Sequence, residues 1–204
     1  NNFNFYVRTS SGYGTPATTG IGFLNGDWRQ VVGTYDGINL KLYLDGSEVS
    51  SVSRTGNLIT ATGELYLSRS YSSVQNLFNG KISNVSIFNE ALTSTEVLKL
   101  YANGVPQDLS SFTPQPVAWY PLGSNSFWNG SAWTVRDMSA GGSNDGTSAN
   151  IGADGLVGSS PRSEANGVGT NNSIPENLVG NTKWSDSNSW SINMSSEARK
   201  QDTP

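Results

Sequence analysis

The side chains that could do chemistry in this sequence are few, and they are mostly oxygens and aromatic rings. It has no histidine and no cysteine, which removes Ser-His-Asp and Cys-His nucleophile arrangements, the usual zinc sites and any disulfide framework together. Glu48, Glu64, Glu90 and Glu96 each stand alone, whereas retaining glycoside cleavage needs two carboxyls about 5–5.5 Å apart. Catalysis is therefore not expected. Asp137, Ser139, Asn144 and Asp145 are close enough in sequence to surround a hard cation with oxygens. The same residue types close turns on their own backbone, a structural role that needs no ion. Phe127, Trp128 and Trp133 gather around Asn129-Gly130, and Tyr13 and Tyr71 lie in Gly- and Ser-rich stretches. Rings beside neutral polar groups suit either sugar binding or contact with another subunit.

The composition narrows the field further. Charged residues are 14% of the chain and the formal net charge is -4, against about 25% charged residues in an average soluble domain. No basic cluster offers a phosphate-tracking surface, so nucleic acid is not an expected partner. No apolar run approaches the roughly 20 residues of a membrane-spanning helix, so membrane insertion is not expected either. Four N-x-[ST] matches, at Asn84, Asn129, Asn171 and Asn193, are what an Asn- and Ser-rich composition produces by accident. The 204 residues are enough for one large β domain or two small ones with a substantial core.

The elements that must position these groups are short strands. Asn-Gly pairs at 25, 79, 103, 129 and 166 and Asp-Gly pairs at 36, 45, 145 and 154 punctuate the chain as hairpin turns would. Between Asp27 and Gly46, Trp28, Val31 and Val32 precede Asp36-Gly37, and Leu40, Leu42 and Leu44 then alternate with Lys41 and Tyr43. This is a β-hairpin in which the three leucines are expected to be buried. One helix is predicted, from Ser94 to about Ala102: Thr93 and Glu96 form a capping box, Leu92 and Val97 a hydrophobic staple, and Asn103-Gly104 the stop. Val97, Leu98 and Tyr101 would share its packed face.

These motifs resemble the laminin G-like, concanavalin A-like jelly roll. The family's W-x-x-V-x-x-T-Y-D-G strand and turn is matched by Trp28, Val31, Thr34, Tyr35, Asp36 and Gly37, and its L-Y-x-D-G by Leu42, Tyr43, Asp45 and Gly46. Phe78, Gly80, Ala91, Leu92, Thr93 and Glu96 fit its later F-x-G strand entry and A-L-[ST]-x-x-E helix start. The resemblance implies an all-β, antiparallel two-sheet sandwich with one short helix over residues 1–104. It lacks the family's opening strands, because Phe3 to Val7 looks like a mid-domain strand. With Asn1 in place of an initiator methionine, the sequence reads as a fragment or processed product. Residues 105–116, rich in Pro, Ser and Thr, are expected to be an extended linker.

Residues 117–204 begin like a second copy of the same family. Val117 to Leu122 is similar to its opening strand, and Asp137 to Thr147 to its D-x-S-G-x-G-N-x-G turn. Beyond Asn150 the sequence is irregular, with isolated anchors such as Trp184 and Trp190. The opening-type strand either starts a second jelly roll or folds back onto the first module, and the Pro-rich spacer favours the first arrangement. The E-x-D-x-x-E strand of this fold's hydrolases does not occur. The resemblance implies calcium as the one candidate cofactor, at Asp137, Ser139, Asn144 and Asp145, and glycans as candidate ligands. The expectation is a non-catalytic structural or adhesive module, as in phage, viral and extracellular proteins, located on a virion surface or outside the cell. Its partners would be neighbouring subunits and surface glycans. The rival expectation is a carbohydrate-targeting module of a polysaccharide-processing enzyme whose catalytic domain lies elsewhere.

Overall fold

The computed structural model describes residues 2–20, 22, 27–59, 65–67, 81–122, 125–148, 151, 153, 156–157, 177–179 and 182–184. These residues form antiparallel β-structure with one α-helix among them, the all-β, jelly-roll-like class that the motifs imply. The hairpin is the middle of it. Strands β5 (Val31–Tyr35), β6 (Asn39–Leu44) and β7 (Ser47–Ser53) make a three-stranded sheet in that order. The register runs from Val31 opposite Leu44 to Tyr35 opposite Leu40. An aspartate closes the first turn, and another ties the second turn to the start of β5. Asp36 Oδ1 accepts the backbone N–H groups of Ile38 at 2.8 Å and Asn39 at 2.6 Å, while Gly37 takes φ 91° at no steric cost. At the second turn Asp45 accepts the Gln30 N–H at 3.0 Å and an Arg29 N–H at 2.8 Å.

Strand β6 is buried on both faces. Leu40 and Leu42 pack on one side with Phe3, Val7 and Ala17, brought there by β1 (Asn2–Phe5) paired antiparallel with β4 (Ala17–Gly20). Phe5 lies over Gly33, where an added Cβ would come within 2.6 Å of its ring. On the other side Tyr43, Leu92 and Val97 form a second cluster. The expected burial of three leucines thus holds for Leu40 and Leu42, whereas Leu44, at the last ladder position before a turn, is half-buried.

Helix α1 (Ser94–Tyr101) follows the sequence closely at its start. Glu96 accepts the Thr93 N–H at 2.7 Å while Thr93 Oγ1 accepts the Glu96 N–H at 3.3 Å, completing the capping box. Ala102 and Asn103 end it at φ 43° and 56°. Its packed face differs from the expectation: Val97 is fully buried but Leu98 is 56% exposed, because Leu98 and Tyr101 lie beside Gly46 at the rim of the sheet.

After the helix the chain does not run free. A short 3-10 turn at Leu109–Ser111 buries Leu109, and Phe112 meets Phe88 with ring centroids 5.9 Å apart. Strand β11 (Ala118–Tyr120) then pairs antiparallel with β10 (Val85–Ile87), Val85 opposite Tyr120. Other sheets also join residues from before and after the Pro-rich stretch. A five-stranded sheet has the order β12 (Phe127–Trp128), β13 (Trp133–Val135), β14 (Gly146–Ser148), β17 (Thr182–Trp184), β8 (Leu65–Leu67). Strand β9 (Lys81–Ile82) pairs with β16 (Asn177–Val179), which pairs with β15 (Leu156–Val157). A third cluster, shared across the Pro-rich stretch, follows from this: Leu65 and Leu67 pack with Ala118, Tyr120, Leu122, Trp133, Val135 and Ile151, with Ile82, Val85 and Ile87 against them.

Replacing Leu42 by Ala is expected to destabilise the fold by about 2–5 kcal/mol through the cavity it leaves, measured as a lower urea midpoint at unchanged slope. Backbone N–H donors hold the Asp36, Glu96 and Asp108 carboxyls below their ordinary pKa. A carboxyl with a depressed folded pKa stabilises fully above its unfolded value of about 4 and loses that contribution as pH falls through the folded one. Stability is therefore expected to fall with acidification from about pH 4 downward, and Asp36→Ala should flatten that slope in pH-dependent urea titrations.

Candidate functional site

The aromatic hairpin is built by β12 and β13, with Phe127 opposite Thr134 and Trp128 opposite Trp133. Its tip is closed by Asn129, whose Oδ1 accepts the N–H groups of Ser131 at 3.0 Å and Ala132 at 2.9 Å, with Gly130 at φ 101°. Because strand side chains alternate, the three aromatic residues divide between two faces. Trp128 and Trp133 stand together, rings 5.9 Å apart and tilted by 57°. Trp133 is buried in the core and half-buried Trp128 packs against it. The Trp133 N–H donates to Ser148 Oγ at 2.8 Å. Phe127 turns outward and is 47% exposed. The guanidinium of Arg136 lies 5.7 Å from its ring centroid, within cation-π reach.

Tyr13 belongs to a separate surface. The hairpin of β2 (Arg8–Thr9) and β3 (Gly12–Tyr13) places it opposite Arg8, with the Arg8 guanidinium 5.5 Å from its ring centroid. It is the most exposed large apolar side chain described, at 73%. Tyr71 lies outside the described residues, as do Trp190 and the side chain of Trp184. The sequence pointed to Tyr13 and Phe127 but not to Arg8 or Arg136. Period-two spacing between Phe127, Thr134 and Arg136 across the hairpin was the available signal, and it needed the register to be read.

Asp137, Ser139, Asn144 and Asp145 do come together, around the start of β11. Asp137 is buried, and its Oδ1 accepts the N–H groups of Trp119 and Ser139, each at 3.0 Å. The Asn144 side-chain amide reaches its Oδ2 at 3.4 Å, and Asp145 Oδ1 accepts the Asp137 N–H at 3.0 Å. Ser139 Oγ donates to the Val117 carbonyl at 3.3 Å, and Tyr120 donates its hydroxyl proton to the Asn144 carbonyl at 2.8 Å. A calcium site needs these oxygens' lone pairs directed at one point. Here they are engaged by N–H donors, so the set fits a hydrogen-bonded turn locked to β11 better than it fits calcium. Among the described residues no group of three or more acidic side chains could hold a metal ion. Asn84 makes a second lock that the sequence did not suggest: its Oδ1 accepts the Trp119 indole N–H and its backbone N–H donates to the Pro121 carbonyl at 3.2 Å.

Comparison with known proteins agrees with the first half of this picture. Residues 1–98 match the family described as the concanavalin A-like lectin/glucanases superfamily, of the laminin G type. No curated protein and no solved structure matches the chain at a significant level. The match ends within α1, so the aromatic hairpin and the Asp137 turn lie beyond it.

Asp137→Ala would orphan two backbone donors, each costing about 1–3 kcal/mol when buried. The expected outcome is a large fall in melting temperature, equal in excess calcium and in chelator. A fall that calcium enlarges would show that the turn opens its carboxylates to the ion.

Proposed function

We propose that this chain is a non-catalytic adhesive module of a virion-surface or extracellular assembly, and that it holds saccharides on the outward face of the β12–β13 hairpin. The observation that carries this reading is the division of the hairpin aromatics. Trp128 and Trp133 are spent on the core, and Phe127 is left with its ring to solvent at 47% exposure. Thr134 and Thr147 stand beside it across the ladder and supply neutral hydroxyls. An apolar ring with a few polar groups around it matches a sugar, whose C–H face is apolar and whose edge is hydroxylated. The similarity of residues 1–98 to a superfamily described by lectins and glucanases supports saccharide as the ligand. The isolation of Glu48, Glu90 and Glu96 supports binding without cleavage.

The low charge supports the setting. A surface of Ser, Thr, Asn and Gly hydrogen-bonds to water and to neighbouring subunits without demanding counter-ions. Phe127 has the accessibility that either use requires, so the test must separate them. Phe127→Ala is expected to weaken binding on a glycan array about tenfold or more, with unchanged melting temperature and unchanged sedimentation. If the same substitution leaves glycan binding intact and loosens self-association instead, Phe127 is a subunit contact. Trp128→Ala cannot make this distinction, because it removes core packing.

A further inference from the structure

Both exposed aromatic rings at the candidate sites carry an arginine. Arg136 stands over Phe127 at 5.7 Å and Arg8 over Tyr13 at 5.5 Å, and both arginines are exposed. The other cations with assigned partners are committed. Arg29 is bridged to Asp27 and Asp45, Lys41 to Glu48, and Arg54 donates to the Gly12 carbonyl. Among the described residues Arg8 and Arg136 have no acidic partner within ion-pair distance. In a chain with more acidic than basic residues, 16 against 12, two arginines with no carboxylate partner among the described residues, each beside a ring open to solvent, form the same small constellation twice.

From this we infer that the saccharide is anionic and is recognised by its carboxylate: a uronate-containing polymer, its sugar face on the ring and its carboxylate on the guanidinium fork. The inference rests on the saccharide reading above and specifies its ligand class. A guanidinium 5.5–5.7 Å from a ring centroid keeps the planar fork of N–H donors that recognises a carboxylate bidentately, beside an apolar face that a sugar ring can cover. The net charge of -4 does not forbid this. At physiological salt the screening length is about 8 Å, so distant acidic groups are damped while a contact pair is not. Thr134, between Phe127 and Arg136 on the same outer face of the ladder, is placed to bond a ring hydroxyl. At the second ledge Ile59, 43% exposed, donates its N–H to the Arg8 carbonyl and adds an apolar shoulder. Two such ledges on one chain give a repetitive ligand two places to bind, each presenting the same pairing of ring and guanidinium.

The test uses the full chain against immobilised polygalacturonate, neutral galactan and dextran sulfate, with Arg136→Gln, the double variant Arg8→Gln/Arg136→Gln, and Phe127→Ala. The expected result is binding to polygalacturonate and not to galactan, weakened about tenfold by Arg136→Gln and further by the double variant, with melting temperatures unchanged. Arg136→Lys should recover only part of the loss, since an ammonium lacks the fork. Equal binding of galactan and polygalacturonate that Phe127→Ala removes and Arg136→Gln does not would overturn the anionic class and leave the saccharide reading standing. Binding to dextran sulfate alone would overturn the carboxylate assignment. Binding to none of the three by the wild-type chain would count against the saccharide reading itself.

Discussion

The pairing of β10 with β11 is the contact on which the C-terminal half of the described structure depends. It is only three residues long, too short to hold by backbone hydrogen bonds that contribute about 1 kcal/mol net each. Side chains make up the difference. Tyr120 has no exposed surface and sits among Leu65, Leu67, Trp133 and Val135. Its neighbour Trp119 is tied to Asn84 by its indole and to Asp137 by its backbone. Asn84 adopts φ 53° to make that bond, a conformation asparagine tolerates better than most residues. If β11 were withdrawn, the Leu65–Leu67 strand and the aromatic hairpin would lose their common core together, and the outer face that carries Phe127 would lose its support.

A second constraint is the scarcity of charge. With few ion pairs available, turns are closed by aspartate and asparagine accepting from the backbone: Asp36 at the first hairpin, Asn129 at the aromatic hairpin, Asp108 before Leu109, Asp137 and Asp145 around β11. These acidic side chains are mostly structural and leave few for ligands. The few arginines then matter individually, since each one not answered by an acid is a local positive site on an otherwise negative molecule.

What could be read from the sequence was what is local. The Asp36-Gly37 turn, the ladder from Val31 to Leu44 and the Thr93–Glu96 cap are each specified by residues a few positions apart. Their physics is complete without the rest of the chain. Tyr43 alternates with the leucines and so faces away from them, yet it is 2% exposed, because Leu92 and Val97 pack on that side of the sheet and only the tertiary structure says so. The same limit explains Leu98, which fits the helix period but meets the sheet's rim. Asp137 was legible as a turn residue, but its bond to Trp119 spans 18 positions and leaves no local pattern.

The aromatic hairpin shows how a functional surface can arise from the rule that builds the core. Adjacent strand residues point to opposite sides, so a Phe-Trp pair must expose one ring if it buries the other. Trp128 is drawn inward because its cross-strand partner is Trp133, and paired aromatics add about 0.5–1.5 kcal/mol beyond their buried area. Phe127 is left outside by that choice. Thr134, Thr147 and Arg136 fall on its face by the same alternation, just as Val135 and Ser148 fall on the buried one. An exposed phenylalanine is costly in water, and the Arg136 guanidinium covers one part of the ring without sealing it. The ring therefore keeps the open apolar surface a ligand can cover, beside a cation that has found no acid within the described structure. Packing dictates the position of every group on this face, and chemistry enters only through which residues occupy the positions that packing leaves outside.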